Sequence, residues 1–246
     1  MGGFMASIKV SDLKFSYNRS VVLNKLSFSL KEGKSLSIIG PIGSGKTTLL
    51  HILNNEYKYT GEVKVDGKLE VIYSDFILNR KTVKSELNFY KKLNKEDLKV
   101  LDEYFNISLL LNKSIDKLSL SDKTLIKVLS VSVTKPDYIA LDNILNNLVY
   151  KTKIILLNYL MEQGITLINV TSNMEDLLFT DYTLCLYKKI IAVYGKTMEV
   201  IKNEKVLKRI GFNLPFIYDL SIQLKLYGLI KKETVNEEKL VNEIWK

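Results

Sequence analysis

Ser35-Leu-Ser-Ile-Ile-Gly-Pro-Ile-Gly-Ser-Gly-Lys-Thr-Thr-Leu-Leu50 decides how the rest of the chain is read. Leu36 to Ile39 is a short apolar run of the kind that forms a buried strand. Gly40, Gly43 and Gly45 make a turn, and Lys46-Thr47-Thr48 opens a helix. Strand, glycine loop and helix in that order make a phosphate cradle, because loop amides and a helix N-terminus converge on an anion. Glycine permits positive φ and lets backbone N–H groups crowd a triphosphate where a Cβ would intrude. Gly40, Gly43, Ser44, Gly45, Lys46, Thr47 and Thr48 are therefore the candidate nucleotide-binding residues. Lys46 supplies a point charge for the β- and γ-phosphates, and the Thr47 hydroxyl is placed to ligate Mg²⁺. The pattern implies binding of a nucleoside triphosphate.

With 246 residues the chain fits one or two domains and can bury a substantial core. No run of 18 apolar residues appears, and no secretory leader is recognisable. Met1-Gly-Gly-Phe-Met-Ala6 misses the myristoylation pattern because its sixth residue is alanine. The single cysteine, Cys185, excludes an internal disulfide and suits a reducing cytosol. A net charge of +9, spread along the chain, suits an anionic membrane face, a nucleotide or a nucleic acid alike. The basic residues are not interleaved with aromatics as a single-strand platform requires, so no nucleic-acid partner is expected.

Residues 7–32 alternate apolar and polar, which predicts antiparallel strands with turns at Asn18-Arg-Ser20 and Lys31-Glu-Gly33. Tyr17 closes the first of these strands, either as a platform for a base or as an ordinary strand-edge aromatic. Residues 61–68 predict a hairpin turning at Asp66-Gly67, continued by residues 69–73. Residues 82–134 contain no glycine or proline and show helical periodicity through Leu87, Tyr90, Leu93, Leu98, Leu101 and Phe105. Asn94-Lys-Glu-Asp97 spells a guanine-reading motif, yet an amphipathic helix follows at once, so Asn94 is expected to be an N-cap. Lys135-Pro-Asp-Tyr-Ile-Ala-Leu-Asp142 reads as a turn and an apolar strand ending in an acid. In phosphate-loop proteins that acid, Asp142, holds the Mg²⁺ shell. A helix over 150–162, a strand over 164–170, a helix from Asn173 and a strand pair turning near Lys188-Lys189 complete an α/β core.

The order of these parts resembles an ABC-type ATPase. Tyr17 stands where that family carries its adenine-stacking aromatic, and Leu118-Ser-Leu-Ser-Asp122 stands where LSGGQ is expected. Ser119 and Asp142 are 23 positions apart (142 − 119), the family's usual interval. The tail narrows the resemblance. Gly195-Lys-Thr-Met-Glu-Val-Ile201, Leu207-Lys-Arg-Ile-Gly-Phe-Asn-Leu-Pro215 and Leu220-Ser-Ile-Gln-Leu-Lys-Leu-Tyr-Gly228 are similar to the energy-coupling-factor transporter ATPases. The resemblance implies an α/β phosphate-loop NTPase of ABC type: a RecA-like core, an antiparallel β subdomain and a helical insertion at about 75–134, all within 1–196. A small helical C-terminal extension would follow at 197–246. It implies ATP and Mg²⁺ as cofactors, and a second ABC ATPase subunit as a partner in a heterodimer. It also implies an integral membrane coupling protein, a substrate-binding membrane component for a vitamin or metal ion, and a cytoplasmic position on the inner face of the membrane.

The chain departs from the family at its reactive positions. The glutamate expected after Asp142 is Asn143, which accepts no proton at neutral pH. Ser172 replaces the switch histidine, and Ser74 replaces the glutamine expected after the strand at 69–73. The signature has lost both glycines, leaving Ser119 to reach a partner's ATP. Asn146-Asn-Leu-Val149 lacks the expected aspartate, and the only histidine, His51, reads as packing or surface. These losses predict a subunit that binds Mg·ATP, hydrolyses it weakly and pairs with a more complete ATPase. The competing readings are an ATP sensor or scaffold outside transport, and a GTPase or small-molecule kinase. The position of residues 94–97 argues against the last class.

Overall fold

The computed structural model describes residues 7–31 and 33–245. The lipid-attachment reading of residues 1–6, and Glu32 in the second expected turn, lie outside them. Strand β1 (Ile8–Tyr17) pairs antiparallel with β2 (Ser20–Leu30), as the alternation predicts. Then come β3 (Leu36–Ile39), α1 (Lys46–Leu53), β4 (Thr60–Val65) and β5 (Leu69–Ile72). The insertion carries α2 (Val83–Leu87), α3 (Lys95–Phe105) and α4 (Leu120–Ser132). After it the chain forms β6 (Tyr138–Asp142), α5 (Tyr150–Glu162) and β7 (Thr166–Val170). A 3-10 turn over Met174–Phe179 leads to β8 (Tyr182–Tyr187) and β9 (Ile190–Lys196). The tail is helical: α6 (Thr197–Lys202), α7 (Glu204–Arg209), α8 (Phe216–Leu226) and α9 (Glu237–Ile244).

Two sheets result. One is antiparallel with order β2-β1-β4; the other is six-stranded with order β5-β6-β7-β3-β8-β9. All strand pairs of the larger sheet are parallel except β8–β9, whose two-residue turn sets Lys188 and Lys189 in the left-handed region. Both faces of the larger sheet are covered, which is why β3 and β6 are buried at every position. On one face Leu36, Ile38, Tyr138, Ala140, Ile168 and Val170 pack with α1 and the antiparallel sheet. On the other, Ile139, Leu141 and Leu167 pack with α4, α5 and the insertion, while Ile39 and Cys185 pack with the tail. Each fully buried aliphatic side chain here contributes about 1.5–3 kcal/mol.

The expected hairpin at Asp66-Gly67 does not form. β4 pairs with β1 and β5 with β6, so the two segments belong to different sheets. Long-range partners replace the hairpin ladder. The Ser7 hydroxyl donates to the Asp66 carboxylate over 2.8 Å, and the Lys68 N–H donates to the Asp137 carboxylate over 2.6 Å. Gly67 at φ +113° lies so close to Asp137 that a Cβ would come within 2.7 Å of that side chain. The Asp-Gly pair therefore carries the chain from one sheet to the other.

The long helical periodicity of the insertion is also interrupted. α2 stops at Leu87, and α3 restarts behind Asn94. The Asn94 side chain accepts from the Asp97 N–H over 2.7 Å and Asp97 bonds back, a capping box. The guanine-reading segment is thus an N-cap. The expected boundary at 196/197 falls between β9 and α6, and the buried tail residues Val200, Ile201, Leu207 and Ile210 share one cluster with Ile39, Leu177 and Cys185.

Candidate functional site

β3 lies at the centre of its sheet, and the glycine loop leaves its carboxyl end, where ligands of open α/β sheets collect. Gly40 leaves the strand against β8: a Cβ there would stand 2.3 Å from the Leu186 carbonyl oxygen, which is backbone and cannot yield. Gly45, at φ +98°, is the N-cap of α1 and supplies no side chain to its first amides. No acidic residue stands in that first turn either, so no side chain of the turn itself covers the N–H groups and positive dipole end of α1. The Ser44 hydroxyl is buried in the loop without a hydrogen-bond partner among the described residues. Unclaimed donors and a cradle that a Cβ would fill fit a polyphosphate.

Lys46 turns back on the loop, its ammonium donating to the Gly40 carbonyl over 2.7 Å and to that of Pro41 over 2.9 Å. Burial lowers its pKa, against the opposing charge of Asp142. One residue on, the Thr47 hydroxyl donates to the Asp142 carboxylate over 2.8 Å, joining α1 to the end of β6. Asp142 is 5% exposed. Burial raises its pKa above the usual carboxylate range, while Thr47, Lys46 and His51 pull it down and Asp75 pushes it up. A hydroxyl and a carboxylate are hard oxygen donors, the set that a divalent cation bound chiefly by phosphates and water requires. Thr47 and Asp142 are the residues that would hold Mg²⁺.

Tyr17 stands at the end of β1, its ring half exposed and edge-on to Phe15 and Tyr57 at 4.8 and 5.8 Å. Its hydroxyl lies 3.5 Å from the Thr48 hydroxyl in the first turn of α1. The sequence reading singles out Tyr17 and misses Tyr57, which stacks on Phe15 at 5.3 Å and 12°. His51, set aside as packing or surface, is held on both sides. It stacks on Tyr73 at 4.4 Å, lies 4.6 Å from Tyr57, and its Nδ1 pairs with Glu56 over 2.5 Å. Tyr73 donates to the same Glu56, and burial together with that carboxylate raises its pKa. His51 lies four residues after Thr47, on the same face of α1. That spacing was the signal available for its nearness to Asp142.

The positions read as departures are placed as follows. Asn143 begins where β6 ends, with φ +58° and its N–H on the Val170 carbonyl over 2.8 Å. Its side-chain oxygen accepts from Asn146 over 3.0 Å, so it is tied to the following loop. Ser172 is exposed two residues beyond Val170, which is opposite Asp142. Ser74 is exposed in the turn after β5. Ser119 N-caps α4: it accepts from the Asp122 N–H over 3.0 Å and gives its hydroxyl proton to the Asp122 carboxylate over 2.8 Å. The helix end expected to face a partner's phosphate therefore carries a carboxylate, which favours its own dipole and opposes a second anion. Leu120 beside it is 59% exposed.

The family model described as "ABC transporter" matches residues 23–146. The "Energy-coupling factor transporter ATP-binding protein EcfA1" of Mycoplasma mobile is 28% identical, over 98% of this chain and 97% of that one. The EcfA protein of Malacoplasma penetrans is likewise 28% identical, over 98% and 93%. The "Zinc import ATP-binding protein ZnuC" of Ehrlichia chaffeensis is 30% identical over 82% of this chain and 88% of its own. Among solved structures, a bacterial Atm1-family ABC exporter with ATP bound superposes with TM-score 0.76 at 18% identity. It covers 87% of this chain, which spans 43% of the exporter's length. With its phosphate loop, its acid-terminated β6 and its helical insertion, the chain belongs to the ABC transporter family, of which it carries the ATPase domain.

Proposed function

We propose that the chain is the ATP-binding subunit of an energy-coupling-factor type importer for a vitamin or metal ion. In this reading it grips Mg·ATP, contributes little to hydrolysis and pairs with a second, more complete ATPase. The carrying observation is a contrast between the phosphate loop and the segments that follow β6 and open α4. The phosphate cradle, Lys46 and the Thr47–Asp142 contact are in position, whereas Asn143 is bonded to Asn146 and Ser119 to Asp122. Magnesium, when bound, neutralises phosphate charge and orients the transferred group. Lys46 leaves its two carbonyls for the phosphates, Thr47 and Asp142 hold the metal side, and Tyr17 offers a ring to the base. No carboxylate follows Asp142 to take a proton from water, a loss that removes on the order of 10²–10⁴ in rate.

Similarity over nearly the full chain to energy-coupling-factor ATP-binding proteins supports the transport reading. Ile42 in the phosphate loop, Leu120 at the start of α4, and Val149 and Tyr150 before and at the start of α5 are large apolar side chains left exposed. They suit burial against a second ATPase. No helix among the described residues is long and apolar enough to cross a membrane. The chain would thus sit on the cytoplasmic face through an integral coupling protein, beside a substrate-binding membrane component. Affinity purification from membranes tests this. Co-purification of a polytopic membrane protein and a second ATPase is expected. A chain that binds ATP but brings neither would be a sensor or scaffold, and brisk hydrolysis by the isolated chain would overturn the weak-ATPase reading.

A further inference from the structure

Phe15 and Tyr17 are two positions apart on β1, and their rings meet at 4.8 Å and 89°. β4 joins that strand with Thr60 opposite Lys14, so Tyr57, three residues earlier, arrives beside the same end. The Tyr57 ring lies parallel to Phe15, at 5.3 Å and 12°, and perpendicular to Tyr17, at 5.8 Å and 81°. It also meets His51 of α1 at 4.6 Å. Tyr17 thus stands at right angles to a pair of stacked rings, an edge-to-face arrangement that aromatic quadrupoles favour. Its hydroxyl, 3.5 Å from that of Thr48, is at the limit of a hydrogen bond, so the rings do most to set its plane. Cover for Phe15 accounts for the parallel contact, and a bulky aliphatic side chain would serve as well. It does not account for a third ring set square to a tyrosine that stays 45% exposed beside the first turn of α1.

We propose that Tyr57 is a positioning residue for the nucleotide base: it fixes the ring plane of Tyr17 before ATP arrives. The inference rests on the reading that the chain binds Mg·ATP with its base on Tyr17. A loose tyrosine at a strand end loses rotamer freedom when a base lands on it, and a ring already held loses less. The benefit is confined to the base, because the loop amides, Lys46 and Thr47 serve the phosphates and metal. Tyr57 therefore acts through Tyr17, and its effect belongs to the base rather than to the triphosphate.

Calorimetry on the full chain with Mg·ATP, and with Mg·tripolyphosphate as a probe that has no base, tests this. Tyr57→Leu and Tyr57→Met keep apolar cover on Phe15 and remove the ring, whereas Tyr57→Phe keeps the ring. The two ringless variants are expected to weaken ATP binding by about three- to tenfold, the range for one newly immobilised side chain, with tripolyphosphate affinity unchanged. Tyr57→Phe is expected to stay within about twofold of wild type for both ligands. Tyr17→Ala is expected to weaken ATP binding by about tenfold or more, and either ringless variant added to it to cost nothing further. A loss that extends to tripolyphosphate, is shared by Tyr57→Phe, persists in the Tyr17→Ala background or does not occur at all overturns the proposal. ATP affinity untouched by Tyr17→Ala overturns the base platform beneath it, and a wild type that binds neither ligand overturns the nucleotide reading itself.

Discussion

Asn143 occupies a left-handed backbone conformation, φ +58°, at the end of β6, and its side chain accepts a 3.0 Å hydrogen bond from Asn146. Two substitutions separate its structural role from a chemical one. Alanine in that conformation costs about 1–2 kcal/mol through the clash of its Cβ with the carbonyl that follows, a penalty that asparagine partly escapes. Losing the exposed bond to Asn146 adds about 0.5–1 kcal/mol. Asn143→Ala should therefore lose about 1.5–3 kcal/mol in denaturant unfolding. Asn143→Gly, free to adopt the same φ, should recover roughly half of that after its own entropic cost. Both retain the backbone bond to Val170, so the strand end and Asp142 stay in place. Affinity for Mg·ATP and the rate of phosphate release, measured with the partner ATPase present, should remain within about twofold of wild type, because a residue that moves no proton forfeits none of the 10²–10⁴ that a general base supplies. A tenfold or larger fall in phosphate release by either variant, with stability and ATP affinity intact, would show that Asn143 handles water and would refute the reasoning.

Lys46→Ala removes a charged donor that the triphosphate would take over from the Gly40 and Pro41 carbonyls. Calorimetry should register a loss of about 10–100-fold in ATP affinity, the range for a hydrogen bond to a charged group. Asp122→Asn removes the carboxylate from the N-terminus of α4 and frees the Ser119 hydroxyl. It should raise ATP-dependent association with the partner several-fold by light scattering, while α4 loses about 0.3–1 kcal/mol of dipole stabilisation. Burial works to raise Asp181, but the Ser35 N–H, Lys34 and the Ser35 hydroxyl outweigh it and hold the carboxyl below its ordinary value. Its contribution is thus fully present above about pH 4 and is lost as pH falls through the lower native value. Melting temperature against pH should be flatter below that point in Asp181→Asn, and an unchanged slope would show that the contacts from Lys34 and Ser35 do not favour the ionised Asp181 carboxylate.

Local chemistry made much of this protein legible in its sequence. The phosphate loop, the β1–β2 alternation, the Asn94 cap and the acid at the end of β6 each depend on residues within a few positions of one another. The Asp66-Gly67 turn misled because a two-residue turn signal does not say which strand its flanks will pair with. That depended on Ser7 and Asp137, 59 and 71 positions from Asp66. The identities of Asn143, Ser119 and Asp122 were plain, but not where their side chains point. The His51–Glu56–Tyr73 group depended on sheet order: Tyr73 reaches α1 only because β5 lies beside β6.

The cluster that joins α6 and α7 to Ile39 and Cys185 bears on how this protein can be taken apart. Ile39 is the last residue of the strand that feeds the glycine loop. A stop codon after position 196 would strip oily cover from the far side of that strand and leave the nucleotide grip resting on a wet, half-built wall. Any signal that loosens the tail, whether a bound protein or a protease cut, would therefore be felt at the triphosphate through the floor of the cradle rather than through its rim.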